Sequence, residues 1–193
     1  MLYTLTGQVQ IGKSRWLERL VRDLQEKGTE CYGVISAGIW VRSTSGKANG
    51  LGFEKLGIES ILLPSWQRFE FAQRQDLAKA GGSYNENSQA GKIGLGWHIS
   101  DDAIARVNEH FAWISKARAA RELEGLLVVD ELGRLELERG GGLIEAMKLL
   151  EQGSDPCFEN AIVVARDIFA HEVAQRYGDA WGGAQMMSPT HGK

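Results

Sequence analysis

Residues Gly7 to Ser14 read Gly-Gln-Val-Gln-Ile-Gly-Lys-Ser, which places two glycines, a lysine and a hydroxyl at the spacing Gly-x-x-x-x-Gly-Lys-Ser/Thr. Each fixed position has a task in holding a polyphosphate. Gly7 and Gly12 permit backbone angles that let successive N–H groups converge on phosphate oxygens, and a helix starting behind them turns its positive end toward the anion. Lys13 adds a full charge for the β- and γ-phosphates, and the Ser14 hydroxyl can ligate Mg²⁺. The loop and the residue behind it, Gly7, Gln8, Val9, Gln10, Ile11, Gly12, Lys13, Ser14 and Arg15, form the candidate nucleotide-binding set.

Asp130 and Glu131 follow the apolar run Leu126-Leu127-Val128-Val129. An Asp at the carboxyl end of a buried strand holds Mg²⁺ directly or through water, and a Glu beside it can orient or deprotonate an attacking water. Ser14 and Asp130 are therefore the candidate metal ligands, and Lys13 and Glu131 candidate catalytic groups. Arg134 and Arg166, each just beyond an apolar run, are further cations for a terminal phosphate. Glu136 is placed either to support a metal shell or to form an ion pair. Trp40, Phe53 and Trp97 either stack on a base or fill the core, and large aromatics at strand edges are more often core. His98, His110, His171 and His191 have no metal-ligand spacing, so no zinc site is expected.

These groups need a sheet to carry them. Leu2 to Thr6 reads as a strand, and Trp16, Leu17, Leu20, Val21 and Leu24 recur at helical spacing between Ser14 and Lys27, with Gly28 at the exit. With a strand at Cys31 to Ser36 this makes a βαβ unit whose strands are parallel. Residues 37–63 read as a β-hairpin excursion, with two short strands at Gly52–Ile58 and Ser60–Leu63. Gly81 to Gly96 holds five glycines among Ser, Asn and Gln and is expected to be a mobile lid. Ser100 with Asp101 and Asp102 opens a long helix ending near Ala120. The run at Leu126–Val129 suits a strand buried on both faces, as does Ala161–Ala165. Helices are expected over Leu143–Gln152 and from Ile168 to Tyr177, stopped by Gly178. The expectation is one three-layer α/β domain over residues 1–180, built on a mostly parallel sheet, with a strand or loose tail at 181–193.

The 193 residues suffice for one domain that needs neither a disulfide framework nor a structural metal. Cys31 and Cys157 form no Cys-x-x-Cys pair and read as small buried residues. A net charge of −3 gives no strong nucleic-acid footprint, and no apolar run approaches the roughly 20 residues of a membrane helix. The first residues carry no basic flank or cleavage signal, which points to the cytoplasm. Glycine takes 24 positions, well above the roughly 7% of ordinary chains, which favours tight turns and close backbone approach to a ligand.

The segment Asp130-Glu131-Leu132-Gly133-Arg134-Leu135-Glu136-Leu137 resembles the Asp-Glu-Ile-Gly-Lys-Met-Glu-Leu signature of the P-loop nucleoside-triphosphatases first recognised in thermophiles, a family that includes the human cancer-related nucleoside-triphosphatase. Gly33-Val34-Ile35-Ser36-Ala37-Gly38, then Arg42, then Gly52-Phe53, looks like that family's Gly-Val, Gly and Glu-Val-Arg segment followed by Gly-Phe. Gly96-Trp97-His98-Ile99 is similar to its Gly-Lys-Tyr-x-Val segment. The resemblance implies a RecA-like core of the additional-strand type and slow Mg²⁺-dependent hydrolysis of ATP, GTP and other triphosphates to diphosphate and phosphate. It also favours Arg42 as an internal arginine finger. This sequence departs from the family in the loop interior Gln8-Val9-Gln10-Ile11, in Trp40 standing where the family has Glu, and in lacking an Asn-Arg-Asp-like segment after Val164. Two other readings share the phosphate loop. One is a nucleotide or small-molecule kinase; the other is a nucleotide-controlled switch that times attachment to a protein partner.

Overall fold

A computed structural model describes residues 1–8, 11–44, 46 and 49–189. The elements run β1 (Leu2–Leu5), α1 (Lys13–Glu26), β2 (Cys31–Arg42), β3 (Phe53–Leu63), β4 (Gln67–Arg74), α2 (Gln75–Ala80), α3 (Gln89–Lys92), β5 (Trp97–Ile99), α4 (Asp101–Ala119), β6 (Leu126–Leu132), α5 (Arg134–Leu137), α6 (Ile144–Gln152), β7 (Asn160–Ala165), α7 (Asp167–Tyr177) and β8 (Ala184–Met187). They build one eight-stranded sheet in the order β5-β4-β3-β2-β6-β7-β1-β8. The pairs β2–β6, β6–β7, β7–β1 and β1–β8 are parallel. The pairs β2–β3, β3–β4 and β4–β5 are antiparallel.

Alternation along the central strands sets the layers. On β6, Leu127 and Val129 pack into a cluster with Val107, Phe111 and Ile114 of α4, Leu149 and Leu150 of α6, and Val173 and Tyr177 of α7. Leu126 and Val128 point the other way, into a cluster with Leu17 and Val21 of α1. The apolar spacing read along α1 is therefore the face it buries, with Leu17 and Val21 in the core and Trp16, Leu20 and Leu24 packed against it. Ser100 caps α4, its hydroxyl accepting the Ala103 N–H at 3.0 Å.

Two features differ from the sequence expectation. The hairpin of residues 37–63 is present but continuous with the main sheet, because β2 runs on from Ser36 to Arg42. Gly52–Ile58 and Ser60–Leu63 lie within one strand and its approach rather than two strands, with an irregular register between Ile58 and Glu59 absorbing the break. The tail supplies β8, anchored by buried Trp181, whose indole N–H donates to the Leu150 carbonyl at 2.9 Å. Gly33 marks the seam between the two halves of the sheet. Its φ is +130°, and a Cβ there would lie 1.9 Å from the Val128 carbonyl oxygen.

Candidate functional site

The phosphate-type loop leaves the carboxyl end of β1 and enters α1 at Lys13. Gly7 and Gly12 have φ of +138° and +92°, angles that glycine adopts without strain. A Cβ at Gly7 would also meet the Ile11 side chain at 2.3 Å. Lys13 is buried across the loop, its ammonium donating to the carbonyls of Gly7 at 2.7 Å and Gln8 at 3.0 Å. Gln8 and Arg15 are exposed and Ser14 is half-buried, while Val9 and Gln10 lie outside the described residues.

Asp130, 1% exposed, stands near the carboxyl end of β6, with β7 between it and β1. The Ser36 N–H donates to its carboxylate at 2.9 Å, the Ser36 hydroxyl donates to its backbone carbonyl, and the Ser14 hydroxyl donates to its carboxylate. Burial pushes the Asp130 carboxyl up to about 7, and the Glu131 charge adds to that; the Ser36 N–H, Ser14 and Lys55 oppose it. A buried carboxylate bonded to a hydroxyl is an all-oxygen pair that gains from a hard divalent cation, so Ser14 and Asp130 fit Mg²⁺. Glu131 is half-buried and accepts from the Arg166 guanidinium at 3.1 Å.

Lys55 of β3 had no expected role. It lines the same cavity as Lys13, Ser14, Asp130, Glu131 and Arg166. Burial holds its ammonium below the ordinary lysine range, the Glu131 and Asp130 carboxylates pull it back up, and Arg166 pushes it down. The ammonium sits 5.1 Å from the centre of the Trp97 ring. Period-two alternation carries the signal: Glu54 faces the other side of β3, where it pairs with Arg74 at 2.8 Å. Gly38 of β2 leaves room for this arrangement, since a Cβ there would meet the Lys55 Cε at 2.9 Å.

Arg42 is exposed at the end of β2 and is not among the residues lining the cavity. Arg134 lines it and pairs with Glu138 at 3.1 Å. Glu136 serves the backbone, accepting the N–H groups of Gly133 at 2.9 Å and Leu143 at 3.2 Å. Burial pushes its carboxyl above the usual range. The cavity has a volume of about 680 Å³. Away from the loop, Trp40, Phe53, Phe71 and Trp97 form its walls, so three aromatics for which a core position was the commoner expectation face open space instead. Gly81 to Gly96 folds into turns and α3, whose cap is buried Ser88, accepting the Gly91 N–H at 3.0 Å.

No family model matches the chain, and no curated protein matches it in sequence. Among solved structures it is similar to the crystal structure of THEP1 from the hyperthermophile Aquifex aeolicus, with a TM-score of 0.58 and 14% identity over 98% of this chain and 90% of that one. The fold is that of a P-loop NTPase. This fold accounts for the loop between β1 and α1 and for an acidic strand end on β6, with β7 between the two, both at the carboxyl ends of parallel strands. No helix among the described residues is long and apolar enough to cross a membrane.

Proposed function

We propose that the chain is a Mg²⁺-dependent nucleoside-triphosphatase of the kind that its signature segments resemble, cleaving the γ-phosphate of ATP, GTP and related triphosphates with water as nucleophile. The observation that carries this reading is the meeting of Lys13 and Ser14 of α1 with Asp130 and Glu131 of β6 in the lining of one cavity. Ser14 and Asp130 would hold Mg²⁺, which would supply charge neutralisation for the triphosphate.

The chain's own groups do the rest. Lys13 exchanges its two loop carbonyls for phosphate oxygens, and the loop N–H groups and the α1 terminus hold the remaining charge. Glu131 takes a proton from the attacking water as that oxygen bonds to the γ-phosphorus and the bridging oxygen leaves with the diphosphate. Arg166 pairs with the Glu131 carboxylate at 3.1 Å and fixes its position. The resemblance assigns the added cation to Arg42; the cavity lining supports Lys55 and Arg166 in that role.

Phosphate release from ATP, GTP, CTP and UTP with Mg²⁺ and no acceptor tests the proposal. Release from several nucleotides, lost on chelation of Mg²⁺ and in Lys13→Ala, is expected. Tight binding of Mg²⁺-nucleotide with no release would overturn it in favour of a kinase or a switch.

A further inference from the structure

The aromatic end of the cavity lies on the wrong side of the catalytic groups to hold the nucleotide's base. In a P-loop site the loop N–H groups cradle the phosphates nearer the sugar, and the terminal phosphate points to the metal-holding Asp and its neighbour. Here that places the γ-phosphate against Asp130 and Glu131, two strands away from β1. The cavity then continues further in the same direction, across Lys55 to Trp40, Phe53, Phe71 and Trp97 on β2 to β5. Base and ribose leave from the opposite end of the triphosphate, so they do not reach this chamber.

Its walls also lack what a closed core would supply. Among the described residues, Leu51 and Phe53 are large apolar side chains 82% and 39% exposed, and both line this cavity. A space lined by apolar and aromatic groups with a few charges gathered at one end is the usual form of a small-molecule site, and the chamber is the aromatic part of a cavity of about 680 Å³ that also takes in the loop end. The charged end is the reacting end: Lys55 lines the cavity together with Asp130, Glu131 and Arg166 and is subject to their charges.

The geometry points to a second substrate. The chamber takes a small hydroxylated aromatic molecule as phosphoryl acceptor, its ring among Trp97, Phe53 and Trp40 and its hydroxyl at Glu131. This rests on the triphosphatase reading, with the acceptor oxygen in the place of water. That oxygen bonds to the γ-phosphorus, its proton passes to Glu131, the β–γ bridging P–O bond breaks, and the diphosphate carries away the electron pair. Lys55 faces the charge that develops on the transferring group.

The test uses the full chain, Mg²⁺, γ-labelled ATP and two probes of different reach, 2-naphthol and 2-naphthylmethanol. Naphthyl fluorescence is expected to show binding that persists or tightens with a non-hydrolysable triphosphate, and part of the label is expected in a naphthyl phosphate ester. Trp97→Ala and Phe53→Ala should each weaken probe binding ten-fold or more, whereas Trp113→Ala, on α4 and outside the cavity lining, should change neither binding nor phosphate release. Triphosphate that competes the probes away would overturn the proposal by making the chamber the base's own site. Absence of binding at millimolar probe, or binding with all label in inorganic phosphate for both probes, would overturn it as well while leaving the triphosphatase reading intact. Failure of that earlier reading looks different, because the label would then stay in ATP with and without probe.

Discussion

The two halves of the sheet differ in how they treat their side chains. In the parallel half, β6, β7 and β1 are buried almost throughout, and they deliver their chemistry only at their carboxyl ends. In the antiparallel half, β4 and the outer lengths of β2 and β3 are half-exposed, and they present side chains along their whole faces. The first arrangement fixes a few groups rigidly, which suits a polyphosphate whose charge must be met at set points. The second builds a wall, which suits recognition of a surface. One cavity joins them, with Lys13, Ser14, Asp130 and Glu131 from the parallel side and Lys55, Phe53, Phe71 and Trp97 from the other.

If this division holds, changes on the parallel side carry the largest effects on turnover. Lys13→Ala should lower triphosphate hydrolysis by about 10⁴-fold, since the lysine carries the full positive charge of the loop. Glu131→Gln should lower kcat by about 10³-fold while nucleotide affinity stays within a few-fold. Both are read from steady-state phosphate release beside fluorescent-nucleotide binding. A Glu131→Gln protein turning over at the parent rate would remove the base from the mechanism.

The seam between the halves tests whether they are mechanically one sheet. Gly33→Ala puts a Cβ against the Val128 carbonyl at an angle that L-residues rarely adopt. Backbone strain and overpacking together should cost about 3 kcal/mol, seen as a lowered urea midpoint. An unchanged midpoint would show that β2 and β6 part easily there.

The same contrast explains what the sequence made legible. The phosphate loop, Asp130-Glu131 and the apolar runs of β6 and β7 could be read because a parallel strand buried on both faces has a continuous apolar signature and a loop that binds phosphate has fixed glycines. In the antiparallel half the pattern is diluted. The strand Gln67–Arg74 reads Gln-Arg-Phe-Glu-Phe-Ala-Gln-Arg, whose alternation is carried by two phenylalanines and is easily passed over. Gly57 and the irregular register beside it broke β3 into two apparent pieces. Lys55 is harder to read, because only the pairing of β3 with β2 brings it into the cavity that Asp130 and Glu131 line. Glu136 was ambiguous for a similar reason, as its partners are backbone N–H groups that carry no sequence signal.

Two cations on one hairpin sharpen the comparison further. Lys55→Ala should reduce kcat by about 10²-fold, with a partial return in Lys55→Arg, if its charge meets the γ-phosphate in the transition state. Arg42→Ala, removing an exposed guanidinium from the end of β2, should change kcat by less than about three-fold. The reverse order of these two effects would restore Arg42 to the role that the resemblance gives it and would require the end of the hairpin to fold over the site.

The smallest expected effect comes from the end of the parallel half far from the loop at Gly7 to Ser14. Arg118 is 5% exposed and donates to Asp155 at 2.9 Å and to the Gly153 carbonyl at 2.6 Å. Partial burial pushes the Asp155 carboxyl upward, but the Arg118 guanidinium and the N–H groups of Phe158 and Cys157 outweigh it and hold the group below its ordinary range. A carboxyl depressed on folding stabilises the folded state above its unfolded pKa of about 3.9, and that contribution is lost as the pH falls through the lower folded value. Asp155→Asn should therefore cost about 1–2 kcal/mol at pH 7, a charged hydrogen bond discounted for partial exposure, and progressively less as the medium is acidified below pH 4. Urea unfolding across that range checks the sign. A deficit that persists undiminished in acid would mean that Asp155 acts through its turn bonds to Cys157 and Phe158 rather than through its charge.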